Sequence, residues 1–213
     1  MDKDMGIEWE EIHRMFTDSP NDIRLDLVKE ENTQIRQQLH VNGQSVLGQI
    51  LSHVSGASIN GYVWLLSGAD SAKSFILPLN EIAKEFYPGN KLIIAYDIWG
   101  GLFALSNGDF EGDVRNVWYF APDLLQWENL EFNYPQFIAW VCSGNLEKFY
   151  EGFLWDNMQV LTDKMKANQA VLVYPFLWAK ECNMDTAEKK IVPLHELIAL
   201  NADYEKKFNT PTK

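Results

Sequence analysis

The run Leu92 to Ile98 is apolar and rich in β-branched residues, and it leads into Gly100-Gly101, a pair that lets the chain reverse direction tightly. Leu102 to Leu105 resumes the strand pattern, and Ser106-Asn107-Gly108-Asp109 supplies the next turn. Val114 to Phe120 then returns with Val117 and Tyr119 on one face and Trp118 and Phe120 on the other. Runs of this kind joined by short turns form the centre of an antiparallel sheet, so the chain is constrained to a sheet-based fold.

Helical patterns surround this centre. Ile7, Trp9, Ile12 and Phe16 predict a short N-terminal helix that stops at Thr17-Asp18-Ser19-Pro20-Asn21. Ile23, Leu27, Ile35 and Leu39 predict a second, exposed helix over 22–39, and Val46 to Val54 a third that stops at Gly56. A strand is expected over 59–66, a loop over 67–71, a short strand over 75–77 and a helix over 78–86. Pro135 sits where a helix over 134–142 begins, and a further helix is expected over 146–158. Val171 to Trp178 reads as an edge strand broken by Pro175, and a last helix runs from Pro193 to about Phe208. The expected fold is α+β: a single domain over 1–213 with a central, mainly antiparallel twisted sheet flanked by helices, and residues 1–41 as a helical N-terminal extension.

At 213 residues the chain can bury a substantial core, and its 13% aromatic content supplies one. Thirty acidic residues against 18 basic ones give a net charge of −12, which repels a phosphate backbone and argues against a nucleic-acid partner. The same acidity suits a basic partner. The acidic N-terminus is unlike a secretory signal and no apolar run reaches membrane-spanning length, so a cytoplasmic location with no membrane partner is expected. Cys142 and Cys182 lack the spacing of a metal site or redox motif and are expected to be unpaired thiols.

The motifs GGLFALSNG, NVWYFAPDLLQWE, FYEGFLW and YPFLW, in that order, resemble an uncharacterised bacterial family, domain of unknown function 2625. The likeness runs from about Val46 to the C-terminal helix, and NGYVWLLSG resembles the family's tryptophan-containing strand and glycine loop. Tyr62 and Trp64 stand where that pattern has Trp and Arg, and Leu154 where it has Arg. The resemblance therefore implies that any site using those arginines is altered in this chain. A wider likeness, carried by IIAYDIWGGLFAL and FNYPQFIAWV, is to the SUKH superfamily. It implies a SUKH-like α+β fold and a binding role, since many members are immunity proteins that neutralise bacterial toxins.

Five residues around the expected hairpin ends, Asp97, Trp99, Asp109, Asp123 and Glu128, form the partner-binding surface that the sequence suggests, an exposed tryptophan among acids facing a basic protein such as a toxin. Charge reversal at Asp97 or Asp109 is then expected to weaken a complex while leaving thermal stability nearly unchanged. An alternative makes the same acids a metal-dependent hydrolytic site, and a third makes the chain a self-associating structural protein. The four histidines are scattered without ligand spacing and no serine occupies a nucleophile elbow. Hence no catalytic residue, resident metal or cofactor is assigned, and the oligomeric state is left open.

Overall fold

The computed structural model describes residues 8–68 and 75–209. In chain order its elements are α1 (Trp9–Thr17), β1 (Ile23–Leu27), α2 (Gln34–Gln38), α3 (Val46–His53), β2 (Val54–Ile59), β3 (Val63–Leu65), α4 (Ile76–Phe86), β4 (Leu92–Asp97) and β5 (Leu102–Leu105). There follow β6 (Asn116–Ala121), β7 (Gln126–Asn133), α5 (Tyr134–Val141), α6 (Leu146–Phe149), α7 (Met158–Thr162), β8 (Gln169–Tyr174), β9 (Glu188–Pro193) and α8 (Leu194–Asn209). Strands β1 to β7 form one antiparallel sheet in sequential order, and β8 and β9 form a separate two-stranded ribbon. This is the α+β single domain that the central runs predict.

The expected hairpin at Gly100-Gly101 is present, as are the strands on either side of it. Helix α5 begins where Pro135 places it, and Asn133 caps it by accepting from the Gln136 backbone N–H while the Gln136 side chain accepts from the Asn133 N–H. Strand β7, which the sequence reading omits, pairs along β6 and is the sheet's last strand. Its middle carries the Glu131 backbone at positive φ, and the register slips there. A bulge of this kind twists an edge strand away from further pairing.

Several expected helices and strands differ in extent from the elements observed. Residues 22–39 hold a strand and one short helix, because Ile23-Arg24-Leu25-Asp26-Leu27 alternates with period two and β1 pairs with β2. The N-terminal segment is therefore part of the domain, with Ile12, Phe16 and Ile35 in its core. The strand expected over 59–66 is two strands split by Asn60-Gly61, whose positive φ values of 51° and 72° form the tight turn that this dipeptide favours. Phe75 to Leu77 enters α4 as helix, and 146–158 breaks into α6 and the start of α7. Strand β8 ends at Tyr174, immediately before Pro175. Ile7 and residues 69–71 of the expected loop lie outside the described residues.

The sheet's two faces have different covers. On one, the register row Leu25, Ala57, Leu65, Ala95, Phe103, Tyr119 and Glu128 runs across every strand. Helices α1, α3 and α5 pack on one another along this face, and Phe137 of α5 meets Phe103 at 5.1 Å between ring centres. On the other face the row is Arg24, Ser58, Trp64, Tyr96, Leu102, Phe120 and Trp127. Helix α4 lies against β4, where the Asn80 amide bonds both the N–H and the C=O of Ile93. Tyr87, at the end of α4, packs on Phe120 and Trp127. Helix α8 packs on α4. Among the described residues, the β1–β3 half of this face has no such helical cover.

Candidate functional site

The hairpin end that the sequence singles out is a sealed structural centre. Asp97 is fully buried. Its Oδ1 accepts the backbone N–H groups of Trp99 and Gly101, both at 2.9 Å, and its Oδ2 accepts the hydroxyls of Tyr119 at 2.7 Å and Tyr150 at 3.0 Å. A carboxylate with four donors is well satisfied, but desolvation dominates and pushes its pKa up to about 6. The glycines follow from this arrangement. A Cβ on Gly101 would fall 2.2 Å from Asp97 Oδ2 and 2.5 Å from the Tyr119 hydroxyl, and Gly100 sits at φ +89° against Leu197 and Asn201 of α8.

Trp99 is not the exposed residue that its place beside a turn suggests. It is 1% exposed, stacked on Tyr150 at 4.9 Å and edge-on to Trp155 at 6.3 Å. The Val171 N–H of β8 bonds the Ile98 carbonyl, so the ribbon and the 150–155 segment close over the turn. Asp97 and Trp99 are thus brought together, but neither offers a partner any surface.

The other three residues do not complete one face with them. Asp109 lies in the β5–β6 connection at the opposite end of the sheet from the β4–β5 turn. Its carboxylate accepts the backbone N–H groups of Asn90 and Lys91 and pairs with Lys91 Nζ at 2.9 Å. Burial pushes its pKa up, yet the Lys91 and N–H bonds outweigh that and hold it below the ordinary carboxylate value. Asp123 occupies the β6–β7 turn and is half-buried, which raises its pKa, while Glu128 pairs across from Tyr119 on β7. Asp123 and Glu128 alone remain at one accessible end. Among the described residues no group of three or more His, Cys, Asp or Glu side chains is placed to hold a metal ion.

The open half of the second face holds a groove of about 540 Å³. Its floor is Ser58, Trp64 and Tyr96, its outer rim Arg24 and Asp26, and it is bounded by Phe75 before α4 and by Asn168. Trp64 and Tyr96 stand with nearly parallel rings, 6.3 Å between centres and 5° between planes. The Asn168 N–H donates to the Tyr96 hydroxyl at 2.9 Å and pins the far wall. Among the described residues the Ser58 hydroxyl, on a residue 4% exposed, forms no side-chain hydrogen bond, and Trp64 Nε1 is buried without a partner. A buried indole N–H left unpaired is uncommon in folded proteins. Thr162, packed against Gly61, separates this groove from a smaller cleft of about 390 Å³ lined by Tyr62, Leu154 and Trp155.

The sequence profile described as "Protein of unknown function DUF2625" matches residues 3–197. The chain belongs to the DUF2625 family. The match includes the N-terminal segment, in keeping with the place of α1 and β1 inside the domain. Among relatives, the putative uncharacterized protein YbfG of Escherichia coli (strain K12) is 31% identical, over 94% of this chain and 93% of its own length. An uncharacterized protein of Haemophilus influenzae Rd is 27% identical, over 86% and 85% respectively. No solved structure matches the chain. In this DUF2625 member, Trp64 lines the groove, and Tyr62 and Leu154 line its neighbour.

Sequence reasoning missed the groove because its residues come from four strands. One signal was present: the period-two alternation of β1 puts Arg24 and Asp26 on the same face.

Proposed function

We propose that this protein is a non-catalytic binding module for another protein, and that it meets its partner through the groove over β1–β3. The observation that supports this reading is a concave surface over the β1–β3 half of the Arg24-to-Trp127 row, where among the described residues the unpaired Trp64 indole N–H lies beside Tyr96. The net charge of −12 favours a basic partner. A toxin neutralised by complex formation is the partner that the SUKH-like motifs suggest.

Ser58→Leu fills the groove floor, while Asp123→Lys with Glu128→Lys alters the accessible hairpin end. Each variant and the wild type would be used to capture proteins from host lysate at low salt. The proposal expects a partner held by the wild type and the hairpin-end variant but lost by Ser58→Leu. A partner that survives groove filling and is lost with the hairpin-end acids would return the interface to the sheet end.

A further inference from the structure

We infer that the groove receives a guanidinium side chain of the partner protein, held by the Asp26 carboxylate, the Ser58 hydroxyl and the half-buried ring of Trp64. This rests on the reading of the groove as the recognition surface and specifies its ligand. Charge comes first. Arg24 is already engaged by Asp163 at 2.8 Å and Asp22 at 3.9 Å, whereas Asp26 is exposed and has no ion pair among the described residues. With Arg24 occupied by Asp22 and Asp163, Asp26 is the lining carboxylate left to meet a cation.

Geometry then selects among cations. Asp26 pairs with Gly56, and Arg24 with Ser58, so Asp26 and Ser58 are diagonal neighbours on adjacent strands. Such positions lie about 7–8 Å apart, a span that a group with donors on two edges bridges. At Gly56 the Asp26 Oδ2 atom is 3.7 Å from where a Cβ would stand, so glycine keeps the strand surface beside the carboxylate clear. A planar guanidinium also stacks on aromatic faces, which a compact ammonium does less well. Among the described residues, the chain's own cations sit over Phe110, Trp127, Trp155 and Tyr204, none over Trp64 or Tyr96. The Ser58 hydroxyl, which forms no side-chain hydrogen bond among the described residues, is an acceptor for a guanidinium N–H.

The test titrates the protein with a capped, glycine-flanked peptide carrying one arginine, and with the same peptide carrying citrulline or lysine. NMR signals of the Ser58 amide and the Trp64 indole report on the groove. The expected result is saturable shifts with the arginine peptide, weakened at least about tenfold by citrulline, by high salt and by Asp26→Asn, with lysine in between. Equal binding of the citrulline peptide, unchanged binding to Asp26→Asn, or no shift at these residues would overturn the assignment. If the arginine peptide fails but Ser58→Leu still abolishes partner capture, the guanidinium is wrong and the groove reading stands. If capture also survives Ser58→Leu, both fall.

Discussion

The Tyr119 hydroxyl donates to Asp97 Oδ2 at 2.7 Å from the neighbouring side of β5, tying the β4–β5 hairpin to β6 beneath a layer of aromatic rings. Because Tyr150 donates to the same oxygen, one carboxylate also joins the sheet to the segment after α6. Removing it leaves donors from Trp99, Gly101, Tyr119 and Tyr150 without an acceptor. Asp97→Ala is expected to lower stability by roughly 3–5 kcal/mol. Asp97→Asn keeps one carbonyl oxygen for the backbone donors, and the tyrosine hydroxyls can turn to accept from its amide, so a loss of about 1–2 kcal/mol is expected. Urea unfolding midpoints decide between them, and equal losses would mean that the carboxylate is not the organising group.

Stability should also depend on pH through Asp97. Its carboxyl is raised from 3.8 to about 6 by burial, so the folded state holds the proton more tightly than the unfolded chain. The stabilisation is full below pH 4 and is lost as pH rises through 6, by at most roughly 3 kcal/mol. The buried shift of Asp123 acts in the same direction, so the informative quantity is the difference between wild type and Asp97→Asn. Denaturant unfolding at half-unit steps from pH 4 to 7 should show the wild type losing stability relative to the variant. Parallel curves would reject the raised pKa.

The two glycine turns of the β4–β6 region should differ sharply. A methyl group at Gly101 meets Asp97 and Tyr119, whereas at Gly108 nothing lies within 4 Å and the strain is only that of φ +88°. Gly101→Ala is expected to lower stability by about 3 kcal/mol or more, and Gly108→Ala by about 1 kcal/mol. Comparable thermal midpoints for the two would show that the hairpin accommodates a side chain next to Asp97.

Charge reversal at Asp109 is expected to destabilise the fold, contrary to the sequence reading of that residue as a free interface acid. Asp109→Lys removes the acceptor for the Asn90 and Lys91 N–H groups and places a second cation beside a largely buried Lys91. A loss of roughly 2–4 kcal/mol follows. A thermal midpoint within a degree of wild type would restore Asp109 as a surface residue.

Thiol reactivity should separate the two cysteines. Burial pushes the Cys142 thiol up to about 12 and raises Cys182 as well, though Lys189 partly offsets the latter. Cys142 is buried and Cys182 half-buried, so iodoacetamide at pH 8 should modify Cys182 first, with Cys142 reacting only after unfolding. Mass spectrometry of the labelled peptides gives the order.

Local sequence determined the hairpin centre, since the alternating runs from Leu92 to Phe120 and their glycine turns have few other solutions. It also determined where α5 begins, because Asn133, Pro135 and Gln136 act within one turn of each other. Tertiary structure alone decided what those residues face. Trp99 beside a turn is exposed on local grounds and buried in fact, because α8, the β8–β9 ribbon and the 150–155 segment, all distant in sequence, close over it. Asp97 and Asp109 are both acids next to tight turns, yet successive connections of an antiparallel meander fall at opposite ends of the sheet. The groove likewise exists only in three dimensions: Arg24, Ser58, Trp64 and Tyr96 become neighbours through strand register, while α4 packs on β4 and α8 on α4.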